Sequence, residues 1–135
     1  MSLKDHISHV LVVDDDEFLL SAIRKKLELG GYKVTTSSNV HDAHFKLTFS
    51  KPDLILLDVI MPEMNGLEFM ALINSQIGTL GIPIILMSYL PEKELHEMGY
   101  DLGSAQYLAK PFKINYLTSR LEKLYQKSLT SISSF

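Results

Sequence analysis

The sequence contains no cysteine, which excludes a disulfide framework, thiolate catalysis and cysteine-ligated zinc, and leaves the fold to rest on packing. Long apolar runs are also missing. The continuous ones are four to six residues, far short of the roughly 20 needed to cross a bilayer, and the N-terminus shows no apolar core or cleavage site of a signal peptide. A soluble cytoplasmic protein with no membrane association is expected. Basic charge is scarce: 13 Lys and Arg stand against 16 Asp and Glu, for a net charge of −3, with no basic block to grip a phosphate backbone. Direct nucleic-acid binding is not expected. What is present, 46% apolar and 21% charged residues in a chain of 135, suits one globular domain that buries about two thirds of its unfolded surface.

Three continuous apolar runs, Val10 to Val13, Leu54 to Leu57 and Ile82 to Met87, fit strands covered on both faces. Between the first two, Leu20, Ile23 and Leu27 recur at helical spacing before Gly30-Gly31, a pair suited to a helix C-terminus. Tyr32 to Thr36 reads as a second strand, and Asn39 as the cap of a helix through Leu47. Met61-Pro62-Glu63-Met64-Asn65-Gly66 reads as a turn-rich loop before a helix from about Leu67 to Asn74. Pro83 falls near the start of strand four, where a missing N–H is tolerated. A helix from about Pro91 to Gly99, a strand from Gln106 to Ala109 and an amphipathic helix from Asn115 to about Lys127 complete five βα units.

That alternation predicts a doubly wound (βα)5 α/β domain with a five-stranded parallel sheet over residues 1–127, and a Ser-rich tail or linker start at 128–135. Ligands of such sheets sit beyond the carboxyl ends of the strands, where strand order reverses. Five chemically capable side chains are predicted there: Asp14 and Asp15 after strand one, Asp58 after three, Ser88 after four, Lys110 after five. Crowded carboxylates repel one another and resist ionising unless a hard cation such as Mg2+ takes them as oxygen ligands. An ammonium and a hydroxyl beside them would hold the oxygens of a tetrahedral anion. Together they describe a phosphoryl-transfer site.

At these residues the chain resembles the receiver domain of two-component response regulators, along nearly its whole length. The resemblance runs through Val12-Val13-Asp14-Asp15, Leu57-Asp58 with Met61-Pro62 and Asn65-Gly66, Met87-Ser88, and Gly103 to Lys110-Pro111-Phe112. It implies a phosphoacceptor at Asp58, served by phosphohistidine on a histidine kinase or histidine phosphotransfer protein. It implies Mg2+ held by Asp15, Asp58 and the backbone carbonyl of Ile60, with Asp14 acting mainly through a metal-bound water. Lys110 would pair with the phosphoryl group, and Ser88 and Tyr107 would form the switch. The face of helix four, strand five and helix five would then meet a downstream partner or a second copy. A cis Lys110-Pro111 peptide is also implied. The domain would be a switch, catalysing only its own phosphorylation and dephosphorylation.

Departures from the family pattern cluster at the site. Tyr89 follows Ser88 where the family usually has Ala or Gly, and Ile60 and Leu90 are apolar where many relatives carry polar groups. The three are expected to narrow access and hinder water, prolonging the life of a phosphoaspartate.

Other residues have plainer readings. Asp16 and Glu17 suit a helix N-terminus, Asp53 a solvated turn, and Asn65-Gly66 a plain turn. His41 and His44 lack a third metal ligand, and His6, His9 and His96 lack acidic or hydroxyl partners in local sequence. Tyr107 could be a simple core aromatic. A degenerate receiver that binds partners without phosphorylation is the rival function. A haloacid dehalogenase-type phosphohydrolase would need an Asp where Ile60 stands, and an FMN binder would need a Ser-, Thr- and Gly-rich loop where the acidic run stands. No DNA-binding or catalytic effector is expected within 135 residues, so the domain acts alone or belongs to a longer regulator or hybrid kinase.

Overall fold

The computed structural model describes residues 7–63, 65–76, 81–103 and 105–133, with side chains described through residue 124. Strands and helices alternate throughout: β1 (His9–Val13), α1 (Glu17–Leu29), β2 (Lys33–Ser37), α2 (Val40–Phe49), β3 (Leu54–Asp58), α3 (Gly66–Ser75), β4 (Ile84–Ser88), α4 (Glu92–Glu97), β5 (Gln106–Ala109) and α5 (Ile114–Ser133). The strands form one five-stranded parallel sheet in the order β2-β1-β3-β4-β5. Strand order reverses at β1 and β3, which places their carboxyl ends at the mouth of the crevice.

The period of two along each strand divides the apolar residues between two cores. Val10, Val12, Leu54, Leu56, Ile85 and Met87 pack on Ile23 and Leu27 of α1 and Leu117 and Leu121 of α5. Leu11, Val13, Ile55, Leu57 and Leu86 pack on the other face with Ala43 and Leu47 of α2, Phe69 and Ile73 of α3, and Leu95 of α4. β1, β3 and β4 are buried along their whole length, each large side chain contributing about 1.5–3 kcal/mol. That is why their sequences read as unbroken apolar runs.

Helix ends follow local chemistry. Asp16 caps α1 by accepting from the amides of Phe18 and Leu19 at 3.0 and 3.1 Å, and Glu17 is the first helical residue, so both serve the helix start. Gly31, at φ 93°, turns the chain after α1 where a side chain would be strained. Asn39 caps α2 through the Asp42 amide at 2.8 Å.

Several expectations are corrected. β4 begins at Ile84, not Ile82; Pro83 stands outside the strand, and its carbonyl accepts from Ile55 at 3.0 Å. α4 is confined to Glu92–Glu97. α5 runs to Ser133, through most of the segment expected as a tail; residues 134 and 135 lie outside the described residues, as does His6. Asp53 is not a solvated turn residue. One of its carboxylate oxygens accepts from the Ser8 amide, the Ser8 hydroxyl and the His9 amide at 3.0, 3.0 and 2.9 Å, pinning the start of β1. These bonds outweigh the opposing effect of burial and hold the Asp53 carboxyl below its usual value. Asn65-Gly66 is more than a turn: Asn65 caps α3 through the Glu68 amide at 2.8 Å, and Gly66 is the first residue of that helix. Among the described residues, no helix is long and apolar enough to cross a membrane.

Candidate functional site

The site is assembled at the carboxyl ends of β1, β3, β4 and β5. Asp14 follows β1 directly, tied in place because its amide donates to the Ser37 carbonyl at 3.1 Å. Its side chain is fully buried. One carboxylate oxygen accepts from the Asp16 amide at 2.9 Å, and the other accepts from Lys110 Nζ at 2.5 Å. Asp58 closes β3 and is also buried. Its Oδ1 lies 3.4 Å from both Lys110 Nζ and the Ile60 amide. Asp15 is exposed beside them, and the three carboxylates each offer an oxygen within 4.8 Å of the others.

Lys110 sits just past β5, where its amide continues the ladder by donating to the Ser88 carbonyl at 2.8 Å. The peptide to Pro111 is cis. Ser88, at the end of β4, is buried, and its hydroxyl oxygen accepts from the Leu90 amide at 3.0 Å. That bond uses a lone pair and leaves the hydroxyl proton free to be donated.

Electrostatics match this crowding. Burial, reinforced by the negative charge of Asp14, raises the Asp58 carboxyl to about 6, although Lys110 pulls the other way. Burial alone would lower the Lys110 ammonium, but its hydrogen bond to Asp14 and the charges of Asp58 and Asp14 outweigh it and raise the group above its ordinary value. Three carboxylates thus face one ammonium. The all-oxygen donor set and the unrelieved repulsion on Asp58 fit a hard divalent cation such as Mg2+. Asp14, Asp15 and Asp58 are the residues able to hold it.

Tyr89 and Ile60 flank this cluster and are 69% and 55% exposed, so both stand at the solvent side. Lys110 Nζ lies 5.3 Å from the centroid of the Tyr89 ring. Leu90 is half-buried and acts through its backbone: its amide reaches Ser88, and its carbonyl accepts from the Tyr107 hydroxyl. The Ser88 carbonyl is 3.3 Å from the same hydroxyl. Tyr107 is therefore more than a core aromatic, since its polar end is bound to the segment that carries Ser88. Burial, with Glu92 adding to it, raises the Tyr107 hydroxyl above its usual value. Arg120 of α5 donates to the Tyr107 carbonyl at 3.2 Å and to Gln106 Oε1 at 2.7 Å, joining β5 to α5.

Two features escaped the sequence reading. Gly66 lies against Asp58 so closely that a Cβ there would be 2.1 Å from the Asp58 carbonyl oxygen, and the Gly66 amide donates to the Val59 carbonyl at 2.7 Å. The glycine was visible in sequence; its backbone neighbour was not. The second is the Leu90 backbone, for which no side-chain signal exists.

The described histidines stay outside the site. His41 pairs with Glu63 at 3.1 Å, while His44 Nε2 lies 3.2 Å from Gln76, so the two have different partners. His9 does have a hydroxyl partner, Thr35 Oγ1 at 2.8 Å on β2, brought near by strand pairing. His96 lies 3.9 Å from Glu92 on α4.

A five-stranded 2-1-3-4-5 sheet with buried carboxylates, a serine and a lysine at its strand ends defines an α/β domain of the flavodoxin-like class, built around an acidic site. The chain belongs to the response regulator receiver domain family, whose model matches residues 10–122. It is thus a receiver domain of two-component signalling. It is 34% identical over 119 residues to the alkaline phosphatase synthesis transcriptional regulatory protein PhoP of Bacillus subtilis, covering 88% of this chain and 49% of that protein. It is 35% identical over 114 residues to the transcriptional regulatory protein KdpE of Staphylococcus aureus, covering 84% and 48%. The chain spans about half the length of these curated relatives. The solved receiver domain of the Francisella response regulator 1452 superimposes with a TM-score of 0.78 at 31% identity, covering 90% of this chain and 98% of that one.

Proposed function

We propose that this receiver accepts a phosphoryl group on Asp58 from phosphohistidine of a histidine kinase or histidine phosphotransfer protein, and that the modification alters the face formed by α4, β5 and α5. The observation that carries this reading is the position of Lys110 Nζ, 2.5 Å from Asp14 and 3.4 Å from Asp58, in a buried site. The charge that a phosphoryl group needs is already beside the acceptor. Mg2+, when bound, neutralises the carboxylates and the phosphoryl oxygens; Asp15, Asp58 and the Ile60 carbonyl would hold it, with Asp14 acting through a water.

An Asp58 carboxylate oxygen attacks phosphorus, the new O–P bond forms as the P–N bond breaks, and the leaving imidazole nitrogen takes the electron pair. The product is an acyl phosphate on Asp58. Lys110 exchanges part of its contact with Asp14 for the phosphoryl oxygens, and Ser88 donates its unused hydroxyl proton to another. Positioning and charge supply most of the catalysis. Because Ser88 is bonded to Leu90, and Leu90 to Tyr107, movement of Ser88 disturbs the anchor of the Tyr107 ring. The populations of two surface states then shift according to the phosphoryl contacts each one makes.

On this reading the domain is a switch, not a turnover enzyme, with a cytoplasmic setting. Its output face would meet a downstream protein or a second copy of itself. The rival, a degenerate receiver that works unphosphorylated, is less well supported because Asp14, Asp15, Asp58, Ser88 and Lys110 are all present at the site. Incubation with acetyl phosphate or beryllofluoride plus Mg2+ distinguishes the two, read by intact mass and by NMR at Tyr107. Wild type should gain one phosphoryl group from acetyl phosphate and shift at Tyr107 with either reagent, and Asp58→Asn should do neither. Absence of both in wild type would favour the rival.

A further inference from the structure

Tyr89 sits where the chain leaves β4, its side chain directed to solvent while the preceding Ser88 is buried. A large aromatic left 69% exposed contributes little to the core, so its packing does not account for it. Its notable contact is with Lys110, whose Nζ is 5.3 Å from the ring centroid, inside the range of about 6 Å for attraction between an ammonium and an aromatic face. From the structure we infer that Tyr89 is a positioning residue for Lys110, its ring face holding the ammonium within reach of Asp58.

Lysine is a compact charge on a flexible four-carbon stem. Of the two carboxylates, Asp14 lies nearer the ammonium, at 2.5 Å against 3.4 Å for Asp58. A ring face attracts the charge without fixing its direction, unlike a carboxylate oxygen. The ammonium can therefore turn between Asp14 and an oxygen bound to Asp58 while keeping its contact with the ring. The exposed ring also shields the ammonium from part of the solvent, and this strengthens every ion pair it makes. A Leu of comparable bulk at this position would cover the site but would lack the electron-rich face.

The inference rests on the proposed phosphoacceptor role, so its test includes one measurement made without phosphorylation. In the free protein, NMR of the Lys110 ε-methylene protons reads the ring current of Tyr89. Wild type and Tyr89→Phe should show these protons displaced upfield, and Tyr89→Leu should return them to ordinary positions. With acetyl phosphate and Mg2+, Tyr89→Phe should be phosphorylated at the wild-type rate and Tyr89→Leu about two- to fivefold more slowly. If Tyr89→Leu matches Tyr89→Phe in either measurement, the ring is only bulk and the inference fails. If wild type takes no phosphoryl group, the phosphoacceptor reading fails instead. The methylene shift then decides the clamp by itself: loss in Tyr89→Leu with retention in Tyr89→Phe upholds it, and no difference overturns it.

Discussion

Lys110 and Asp14, 96 positions apart in sequence, form a buried ion pair with Nζ 2.5 Å from Oδ2. The pair joins the ends of β1 and β5, which do not neighbour one another in the sheet. Replacing Lys110 by Met keeps most of the length of the side chain and removes its charge, leaving Asp14 and Asp58 buried without compensation. Loss of one partner from such a pair costs about 3–5 kcal/mol. Urea unfolding of metal-free Lys110→Met should show a loss of this size, and added Mg2+ should recover part of it. An unchanged midpoint would mean that the ammonium is not what balances the carboxylates.

The Asp58 carboxyl, raised to about 6 from 3.8 by burial and by Asp14, gives the metal-free fold a pH dependence of definite sign. Between those values the folded protein keeps a proton that the unfolded chain has released. The contribution of this group is therefore most favourable below pH 4 and is lost as pH rises through about 6. Allowing for solvent at the open side of the site, the loss is about 1–2 kcal/mol. Asp58→Asn should remove this slope and be the more stable protein at pH 7 without Mg2+. Unfolding midpoints from pH 4 to 7 for both proteins check it; parallel curves would contradict it.

The fold was legible because β1, β3 and β4 are buried on both faces and spell this out as continuous apolar runs. The strand-end residues followed from that, since ligands of a doubly wound parallel sheet bind beyond the carboxyl ends of its strands. What stayed illegible depended on distant backbone. Asp53 looked like a turn residue because its three donors come from Ser8 and His9, over forty positions earlier. His9 seemed unpartnered because Thr35 arrives only through strand pairing. The extension of α5 beyond Lys127 was hidden by serines, whose modest helix propensity is a weak signal beside an amphipathic face.

Gly66 should tolerate no side chain. A Cβ would lie 2.1 Å from the Asp58 carbonyl oxygen, a backbone atom that cannot step aside without moving Asp58. Ala normally gains about 1 kcal/mol over Gly within a helix, but here the clash dominates and Gly66→Ala should be destabilised by about 1–3 kcal/mol net. The start of α3 must shift, carrying the loop from Ile60 with it. Thermal unfolding and Mg2+ titration followed by NMR at Asp58 should both show the change. A variant as stable as wild type, with the same Mg2+ affinity, would refute this account of the motif.

Ile60 and Leu90 bear on how long a phosphoryl group would last. Hydrolysis needs a water aligned on phosphorus opposite the Asp58 oxygen, and a polar side chain beside that path can hold the water by a hydrogen bond. Ile60 is 55% exposed at the site and offers none. Leu90 offers only its side-chain carbons, since its amide and carbonyl are engaged by Ser88 and Tyr107. Ile60→Asn and Leu90→Gln keep similar size and leave those backbone bonds intact, so the double variant should fold and accept phosphoryl as wild type does. Dephosphorylation should then be roughly tenfold faster, a modest fraction of what a fully positioned general base supplies. Tyr89 is left in place, so the hold on Lys110 is unchanged and any difference belongs to the water. An equal phosphoaspartate lifetime in wild type and double variant would show that these apolar flanks do not govern hydrolysis.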